Sequence, residues 1–269
     1  MMETMMAENI RFKDHFTPLS GAYADFRPSY PAALFEYLAN LASGRDMAWD
    51  CACGSGQASL DLAAHFDRVC ATDASAAQLA AAPPHERIEY RLAAAESSGL
   101  ADSSVDLITV AQALHWFDRP RFYAEVHRVL KPGGLLAVWT YGVQTLDDAK
   151  IHAAVQHFYR EVVGPYWPPE RVLVEQGYRG LDFPFVEIAA PACTMSEHWS
   201  LTRLLGYFRS WSATGRYIAA MGRDPVDDLG EILAPLWGNQ ERTIHWPLSI
   251  RLGKTTSREE THGNPTAHG

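Results

Sequence analysis

Between Pro31 and Trp139, short apolar runs alternate with segments of helical periodicity, and this alternation constrains the fold more than any other feature of the chain. The apolar runs predict strands at residues 47–50, 68–72, 88–92, 105–110 and 135–140. The periodic segments predict helices at residues 32–41, 58–66, 75–82 and 120–130. Strands that alternate with helices are typical of a parallel sheet covered by helices on both faces, so we predict an α/β fold.

After Thr140 the alternation gives way to longer helical segments. Helical patterns occupy residues 147–163, 170–176 and 201–221, and strand patterns occupy residues 185–190 and 243–252. We expect the helices of 146–180 and 200–237 to form a small cap, and the strands to complete a Rossmann-like sheet of seven mostly parallel strands. The predicted units are residues 1–45 (an N-terminal segment and the first helix), 46–145 (the ligand-binding core), 146–254 (the cap and the completing strands) and 255–269 (a polar tail predicted to be disordered).

Composition excludes several classes of function. The net charge is −9 and no run of Lys and Arg occurs, which argues against a nucleic-acid-binding protein. The four cysteines form no C-x-x-C pair and no H-E-x-x-H occurs, so we predict no metal site. No secretory signal and no membrane-spanning apolar stretch is present. We therefore expect a cytoplasmic protein with a small-molecule substrate and no membrane partner; nothing in the residues indicates an oligomeric state.

The segment from Trp49 to Gln57 carries the strongest chemical signal. It predicts a strand that ends in a glycine-containing turn and opens a helix, which allows the backbone to approach a ligand closely. Asp73 ends the next strand, where a carboxylate can accept both hydroxyls of a ribose. A dinucleotide site shares this geometry, but Ser59 stands where that motif has its third glycine. Asp50 before the loop favours a cationic ligand over a pyrophosphate.

Four segments in order resemble the class I S-adenosylmethionine-dependent methyltransferases, and most closely those similar to trans-aconitate and ubiquinone-biosynthesis methyltransferases. These segments are Asp50-Cys51-Ala52-Cys53-Gly54-Ser55-Gly56, Asp73-Ala74-Ser75 with Gln78, Ala94-Ala95-Glu96 with Val105-Asp106-Leu107-Ile108-Thr109, and Leu114-His115-Trp116-Phe117 with Arg128-Val129-Leu130-Lys131-Pro132-Gly133-Gly134. The resemblance covers about residues 20–140. Ala52 departs from it, because the family usually has glycine there, and alanine has less backbone freedom.

The resemblance implies S-adenosylmethionine as cofactor, S-adenosylhomocysteine as product, and an N-terminal segment that folds over the cofactor. Ala52, Gly54 and Gln57 are then expected along the methionine part, Asp73 at the ribose, and Ala111 with Gln112 near the sulfonium. The implied cofactor residues are Tyr23, Arg27, Asp50, Ala52, Gly54, Gly56, Gln57, Asp73, Ala74, Gln78, Ala95, Glu96, Ala111 and Gln112. Two have simple structural alternatives: Glu96 as a solvated loop carboxylate, and Arg27 as a surface residue packed on Tyr30.

We expect the residues that contact the methyl acceptor to lie after the fourth strand and in the aromatic segments of the cap. His115 is a candidate general base because its ordinary pKa lies near neutrality, although a structural role is the alternative. Trp116 is expected to wall the methyl-transfer site. The other expected substrate residues are Tyr141, Trp167, Trp199, Tyr207, Arg209 and Trp211, for which a helix core is the alternative.

These residues predict an enzyme that transfers a methyl group to a small molecule, with a carboxylic acid as one candidate acceptor because a carboxylate needs no base. Two alternatives stay open at this point. One is a regulatory protein that keeps the nucleoside pocket but transfers nothing, and the other is an NAD-dependent oxidoreductase.

Overall fold

Five parallel strands run through the first half of the part described by the computed structural model, which is residues 26–255. The strand segments are β1 (Met47–Cys51), β2 (Arg68–Asp73), β3 (Ile88–Leu92), β4 (Val105–Ala111), β5 (Leu130–Tyr141), β6 (Thr145–Leu146), β7 (Val186–Ile188), β8 (Cys193–Trp199) and β9 (Arg242–Lys254). The helices are α1 (Ala32–Leu41), α2 (Gln57–Ala63), α3 (Ala76–Ala80), α4 (Arg119–Val129), α5 (Ala149–His157), α6 (Arg171–Glu175), α7 (Leu201–Arg209), α8 (Ser212–Met221) and α9 (Pro225–Trp237).

The nine strand segments of residues 26–255 occupy seven positions across one sheet. The parallel strands lie in the order β3-β2-β1-β4-β5, and β9 pairs with β5 antiparallel. β6 continues β5 along the same side of β9, while β7 and β8 share the opposite side, because Leu248 faces Tyr141 on one side and Cys193 on the other. The predicted α/β fold with a mostly parallel, seven-stranded sheet is therefore confirmed.

The strand order places a switch point between β1 and β4. From β1, the chain fills the sheet in one direction through β2 and β3, and then returns to the other side of β1 with β4 and β5. The crossovers after β1 and β4 therefore diverge, which opens a crevice at the carboxyl ends of these strands.

Two apolar layers cover the faces of the sheet. α1 and α2 bury Phe35, Leu38 and Leu62 against one face, and α4 buries Phe122 and Val126 against the other. Every residue of β4 except the last is buried, as expected for a strand covered on both sides. This core fixes the strand ends that form the site.

The second half differs from the sequence prediction in three places. The helix predicted at 201–221 is two helices, because the Ser210 hydroxyl donates to the Tyr207 carbonyl and the Thr214 hydroxyl donates to the Phe208 carbonyl, in competition with the helical ladder. The helix predicted at 147–163 ends at His157 and continues as one π-helical turn, Phe158–Val162. The strand prediction at 185–190 covers β7 only, and β8 was not predicted.

The helices that follow β5 form the expected cap elements. α9 packs against α5 and α7, and begins at the Asp224 cap with Pro225 in its first turn. No helix in residues 26–255 combines the length and apolar character needed to cross a bilayer. The predicted tail at 255–269 lies outside the described residues, except for Thr255.

Candidate functional site

The loop between β1 and α2 turns on left-handed backbone conformations. Ala52, Gly54 and Gly56 have φ angles of 56°, 57° and 83°. The Cys53 amide donates to the Thr72 carbonyl of β2, and the Gly56 amide donates back to the Cys53 carbonyl. The loop is thereby fixed beside the end of β2, with Ala52 to Ser55 partly open to solvent.

Asp73 ends β2 and bridges the loop to the next turn. One carboxylate oxygen accepts from the Gly54 amide at 2.8 Å, and the other accepts from the Ser75 amide at 2.8 Å. These two bonds fix the orientation of the Asp73 carboxylate at the end of β2. The side chain is partly exposed at the switch-point crevice.

Asp50 lies beneath the loop rather than facing the crevice. Its carboxylate is fully buried and accepts from the Ser59 hydroxyl at 2.6 Å and the Thr109 hydroxyl at 2.9 Å. Burial raises the pKa of Asp50 to about 6, although both hydrogen bonds favour the ionised form. The predicted role of Asp50 at the cofactor stays a prediction. The strand-end pattern did not show this burial, because it does not say which face of the strand a side chain takes.

Three carboxylates give this edge of the sheet a negative potential. The thiol of Cys51 is buried in β1, and its pKa is raised first by burial and then by the charges of Asp50, Glu96 and Asp73. Such a field favours a cation and disfavours a pyrophosphate at the carboxyl ends of β1 and β2.

The strand ends and turns around Asp73 bring together the other predicted nucleoside residues. Gln78 is buried in α3, with its amide oxygen beside Gly54, and Ala74 is partly exposed next to Asp73. Ala95 is buried, whereas Glu96 is partly exposed and accepts from the Asp118 amide at 2.8 Å. The Glu96 carboxylate is therefore tied to the start of α4.

The described part of the N-terminal segment is bound to both the loop and the fifth strand. Gln57 Nε2 donates to the Pro28 carbonyl at 2.8 Å, and Arg27 Nη1 donates to Tyr141 Oη at 2.9 Å. The Arg27 guanidinium also lies 5.8 Å from the ring centroid of Tyr207. The segment thus connects the start of α2 to β5 and α7, while the predicted residue Tyr23 lies outside the described residues.

The end of β4 holds a second strained position. Gln112 has a φ of 59°, its amide donates to the Trp139 carbonyl, and its side-chain oxygen accepts from the Thr140 hydroxyl at 2.6 Å. Ala111, just before it, is partly exposed. Left-handed non-glycine residues cost free energy and concentrate where geometry serves a function.

His115 follows β4 in a short 3-10 turn and is held by Tyr178. Its Nδ1 lies 2.7 Å from Tyr178 Oη, and its ring centroid is 4.6 Å from that of Trp116. Burial, assisted by the positive charge of Arg171, lowers the pKa of His115 to about 3. The imidazole is neutral and weakly basic near pH 7, which argues against the predicted general base and favours the structural alternative.

We expect acidification to destabilise the native protein more than its His115→Gln variant. A buried His with a folded pKa near 3 binds fewer protons than the same residue in the unfolded chain, whose pKa is near 6.5. Stability is therefore lost as the pH falls below about 6.5, by up to about 3 kcal/mol at pH 4. Asp50, whose pKa is raised, acts in the opposite direction but is common to both proteins. Urea unfolding at pH 7 and pH 4 measures the difference; equal losses in the two proteins would contradict the buried neutral imidazole.

Some of the aromatic residues that were predicted to contact the acceptor lie in the core, and one lies on the wall of a cleft. Tyr141, Tyr207 and Trp211 are mostly buried, and Trp211 lies 5.4 Å from both Tyr207 and Trp167, between ring centroids. Trp167 is partly exposed. Only Trp167 of these four faces open space to a substantial degree.

Two predicted substrate residues are engaged elsewhere in the described fold. Trp199 has no exposed surface and packs on Trp246, because it ends β8 inside the sheet layer rather than beginning a pocket helix. Arg209 points outward and pairs with Asp224 and Asp227, each at 2.6 Å. Arg209 is the last residue of α7, directly before the break at Ser210.

A cleft of about 720 Å³ that sequence reasoning missed begins where β5 ends. Its wall contains Tyr159 and Arg171, together with Trp167. The sequence offered one signal for this cleft, which is Arg171 directly after the Trp-Pro-Pro-Glu run. The sequence alone does not show that α6, which carries Arg171, lies near the end of β5.

A family model described as a methyltransferase domain matches residues 49–138, which hold both the loop and Asp73. A Dictyostelium discoideum protein whose name describes a methyltransferase is 35% identical over 253 residues, covering 91% of this chain and 96% of the relative. The chain belongs to the class I S-adenosylmethionine-dependent methyltransferases.

Further similarity extends over most of this methyltransferase. A solved structure described as a type II methyltransferase from Anaeromyxobacter dehalogenans has a TM-score of 0.81 and 44% identity, covering 86% of this chain and 99% of that one. A Saccharomyces cerevisiae protein named as S-adenosylmethionine-dependent is 30% identical over 131 residues, or 45% of each chain.

The strained Ala52 of this methyltransferase yields a stability prediction. We expect Ala52→Gly to stabilise the fold by about 0.5–1 kcal/mol, because the left-handed cost for alanine exceeds the extra chain entropy of glycine. Ala58→Gly within α2 is the matched control and should destabilise by about 1 kcal/mol. Chemical unfolding of both variants measures the effects; a clear loss of stability in Ala52→Gly would show that the φ angle carries no strain.

Proposed function

We propose that this methyltransferase binds S-adenosylmethionine over the loop from Ala52 to Gly56 and methylates a small carboxylic acid. The observation that carries the proposal is the Asp73 carboxylate, oriented by the Gly54 and Ser75 amides at the switch point. An acid in this position suits two ribose hydroxyls. The family assignment supports the cofactor, and the neutral His115 supports the acceptor class.

The hydrogen-bonding groups and the negative charges around the crevice are compatible with S-adenosylmethionine. Asp73 would accept from the ribose, with Ala74 and Glu96 toward the adenine. Gly54 and Gln57 would lie along the methionine part, and Gln112 near the sulfonium. The three carboxylates near Cys51 supply the negative potential that a cationic ligand needs. Asp50 contributes to this field from beneath the loop, without direct contact.

When bound, S-adenosylmethionine supplies a methyl group on a positively charged sulfur and leaves as S-adenosylhomocysteine. The chain then has mainly to orient the acceptor and exclude water, because the methyl group is already activated. The link from Gln57 to Pro28 and the bond from Arg27 to Tyr141 hold residues 27 and 28 across this side of the sheet, where they would shield the reacting groups.

A carboxylic acid is the acceptor class that best suits these side chains. His115 is a weak base because burial lowers its pKa, and it is already bonded to Tyr178. A carboxylate reaches the site ionised, so no proton has to be removed before methyl transfer. Alcohols and amines that need a base would be poorer acceptors.

Calorimetric titration of the full chain with S-adenosylmethionine, S-adenosylhomocysteine and NADH tests the cofactor. We expect micromolar binding of the first two and none of NADH. Release of S-adenosylhomocysteine over a panel of acids, alcohols and amines tests the acceptor. Binding of NADH alone would reject the cofactor, and turnover confined to amines or alcohols would reject the acceptor class.

A further inference from the structure

The cleft at the end of β5 has the size and position of an acceptor site. Its volume of about 720 Å³ is within the usual range for small-molecule pockets. Gly142 and Val143 follow β5 directly, and Pro247 of β9 lies opposite them. The cleft therefore adjoins the edge of the sheet where the proposed cofactor site lies.

The π-helical turn Phe158–Val162 shapes one wall of the cleft. It carries Tyr159 and Arg160, both of which line the cleft. Such turns are rare and frequently mark functional sites, because they shift side chains out of the regular helical positions. α6 adjoins this turn and adds Arg171 and Glu175 to the lining of the cleft.

Arg171 lies over two aromatic rings. Its guanidinium carbon lies 4.6 Å from the ring centroid of Trp167 and 5.4 Å from that of Tyr159. Its Nε donates to Tyr159 Oη at 2.7 Å, and Tyr159 Oη in turn donates to Glu175. The side chain is 21% exposed, so the guanidinium is largely removed from water.

The outer edge of this guanidinium makes no hydrogen bond to any residue of the described part of the chain. Within residues 26–255, no hydrogen bond or ion pair involves Nη1 or Nη2 of Arg171, and the Glu175 carboxylate, 3.9 Å away, lies toward Nε. Four N–H donors are therefore available on a rigid, partly desolvated group. A planar guanidinium fork matches a carboxylate in two parallel hydrogen bonds, and its fixed orientation reduces the entropy lost on binding.

Much of the remaining cleft surface is apolar. It includes Val143, Pro168, Val172 and Pro247. We propose that Arg171 anchors a carboxylate of the methyl acceptor, whose apolar body packs on this surface. This inference rests on the proposed function, because only that function makes the bound acid a methyl acceptor. It adds the residue that would select acids in that reaction.

Ligand-observed NMR on the full chain tests the anchor independently of methyl transfer. The probes are organic acids from butanedioate to 4-phenylbutanoate, each paired with its amide. We expect one or more acids to bind about 10-fold or more tightly than the matching amide, as one charged hydrogen-bonded pair provides. Arg171→Gln should abolish this preference, whereas Arg171→Lys should keep part of it, because lysine retains the charge without the fork.

Arg160→Gln is the matched control, since it removes the same charge from an exposed arginine of the same cleft. We expect it to change the acid-to-amide ratio by less than about threefold, as for an exposed charge. The inference is overturned if no acid is preferred by the native protein, if Arg171→Gln keeps the preference, or if Arg160→Gln abolishes it equally. Failure of S-adenosylmethionine binding or methyl transfer, with the acid preference intact, would instead reject the proposed function alone.

Discussion

Replacing Asp73 with alanine is expected to raise the Kd for S-adenosylmethionine by at least about 100-fold. The substitution removes the acceptor for two ribose hydroxyls, and hydrogen bonds to a charged group contribute about 1.5–3 kcal/mol each. It also leaves the Gly54 and Ser75 amides without their acceptor, so the loop loses its orientation. Calorimetric titration of the native and variant proteins measures the change.

Three comparisons separate this effect from general damage. Asp182→Ala removes an exposed carboxylate far along the chain and should leave the Kd unchanged. Asp73→Asn keeps one acceptor oxygen and should fall between the native protein and Asp73→Ala. His115→Ala should change cofactor affinity far less than Asp73→Ala, and the reverse order would argue against a ribose at Asp73.

Gly56→Ala is expected to destabilise the protein by about 2–4 kcal/mol, the largest stability effect that we predict in the loop. Gly56 has a φ of 83°, where alanine costs about 1–2 kcal/mol. A Cβ atom there would also lie 2.5 Å from Tyr90 Oη, and such overpacking costs about 1–3 kcal/mol. Thermal unfolding should show a midpoint lower by about 10 °C.

The variants Gly54→Ala and Tyr90→Phe separate the backbone cost of Gly56→Ala from the cost of its contact with Tyr90. Gly54 has a similar φ of 57°, but the nearest atom to its Cβ position is 3.7 Å away, so only the backbone cost of about 1–2 kcal/mol should appear. Tyr90 Oη is buried without a hydrogen-bond partner in the described chain, so its removal should be tolerated. The double variant Gly56→Ala/Tyr90→Phe should recover part of the loss; no recovery would show that the hydroxyl contact contributes nothing.

Local sequence signals were enough for the parts of the site that depend on strand ends. A β2 strand that ends in an acid, beside a glycine turn after β1, predicts the position of Asp73, because parallel strands end at one edge of the sheet. The same signals could not show that Asp50 turns beneath the loop, since facing is decided by Ser59 and Thr109 on other elements.

Local sequence patterns could not predict the features that form between segments distant in the chain. β8 is held in the sheet by its pairing with β9, and its polar residues, including Glu197, weaken a strand signal. The Arg171 cleft depends on one π-helical turn and on α6 facing the end of β5. The burial of Trp199 depends on the pairing of β8 with β9, and the outward direction of Arg209 depends on its ion pairs with Asp224 and Asp227.

The antiparallel strand β9 has a consequence for biosynthesis. It comes last among the described strands, yet it lies in the interior of the sheet, with β5 and β6 on one side and β7 and β8 on the other. A nascent chain that has not yet reached residue 242 leaves the edge of β5 that faces away from β4 unpaired over seven positions, Leu135 to Tyr141. Unpaired strand edges promote aggregation, so ribosome-bound or prematurely terminated chains should depend on chaperones until the final strand inserts.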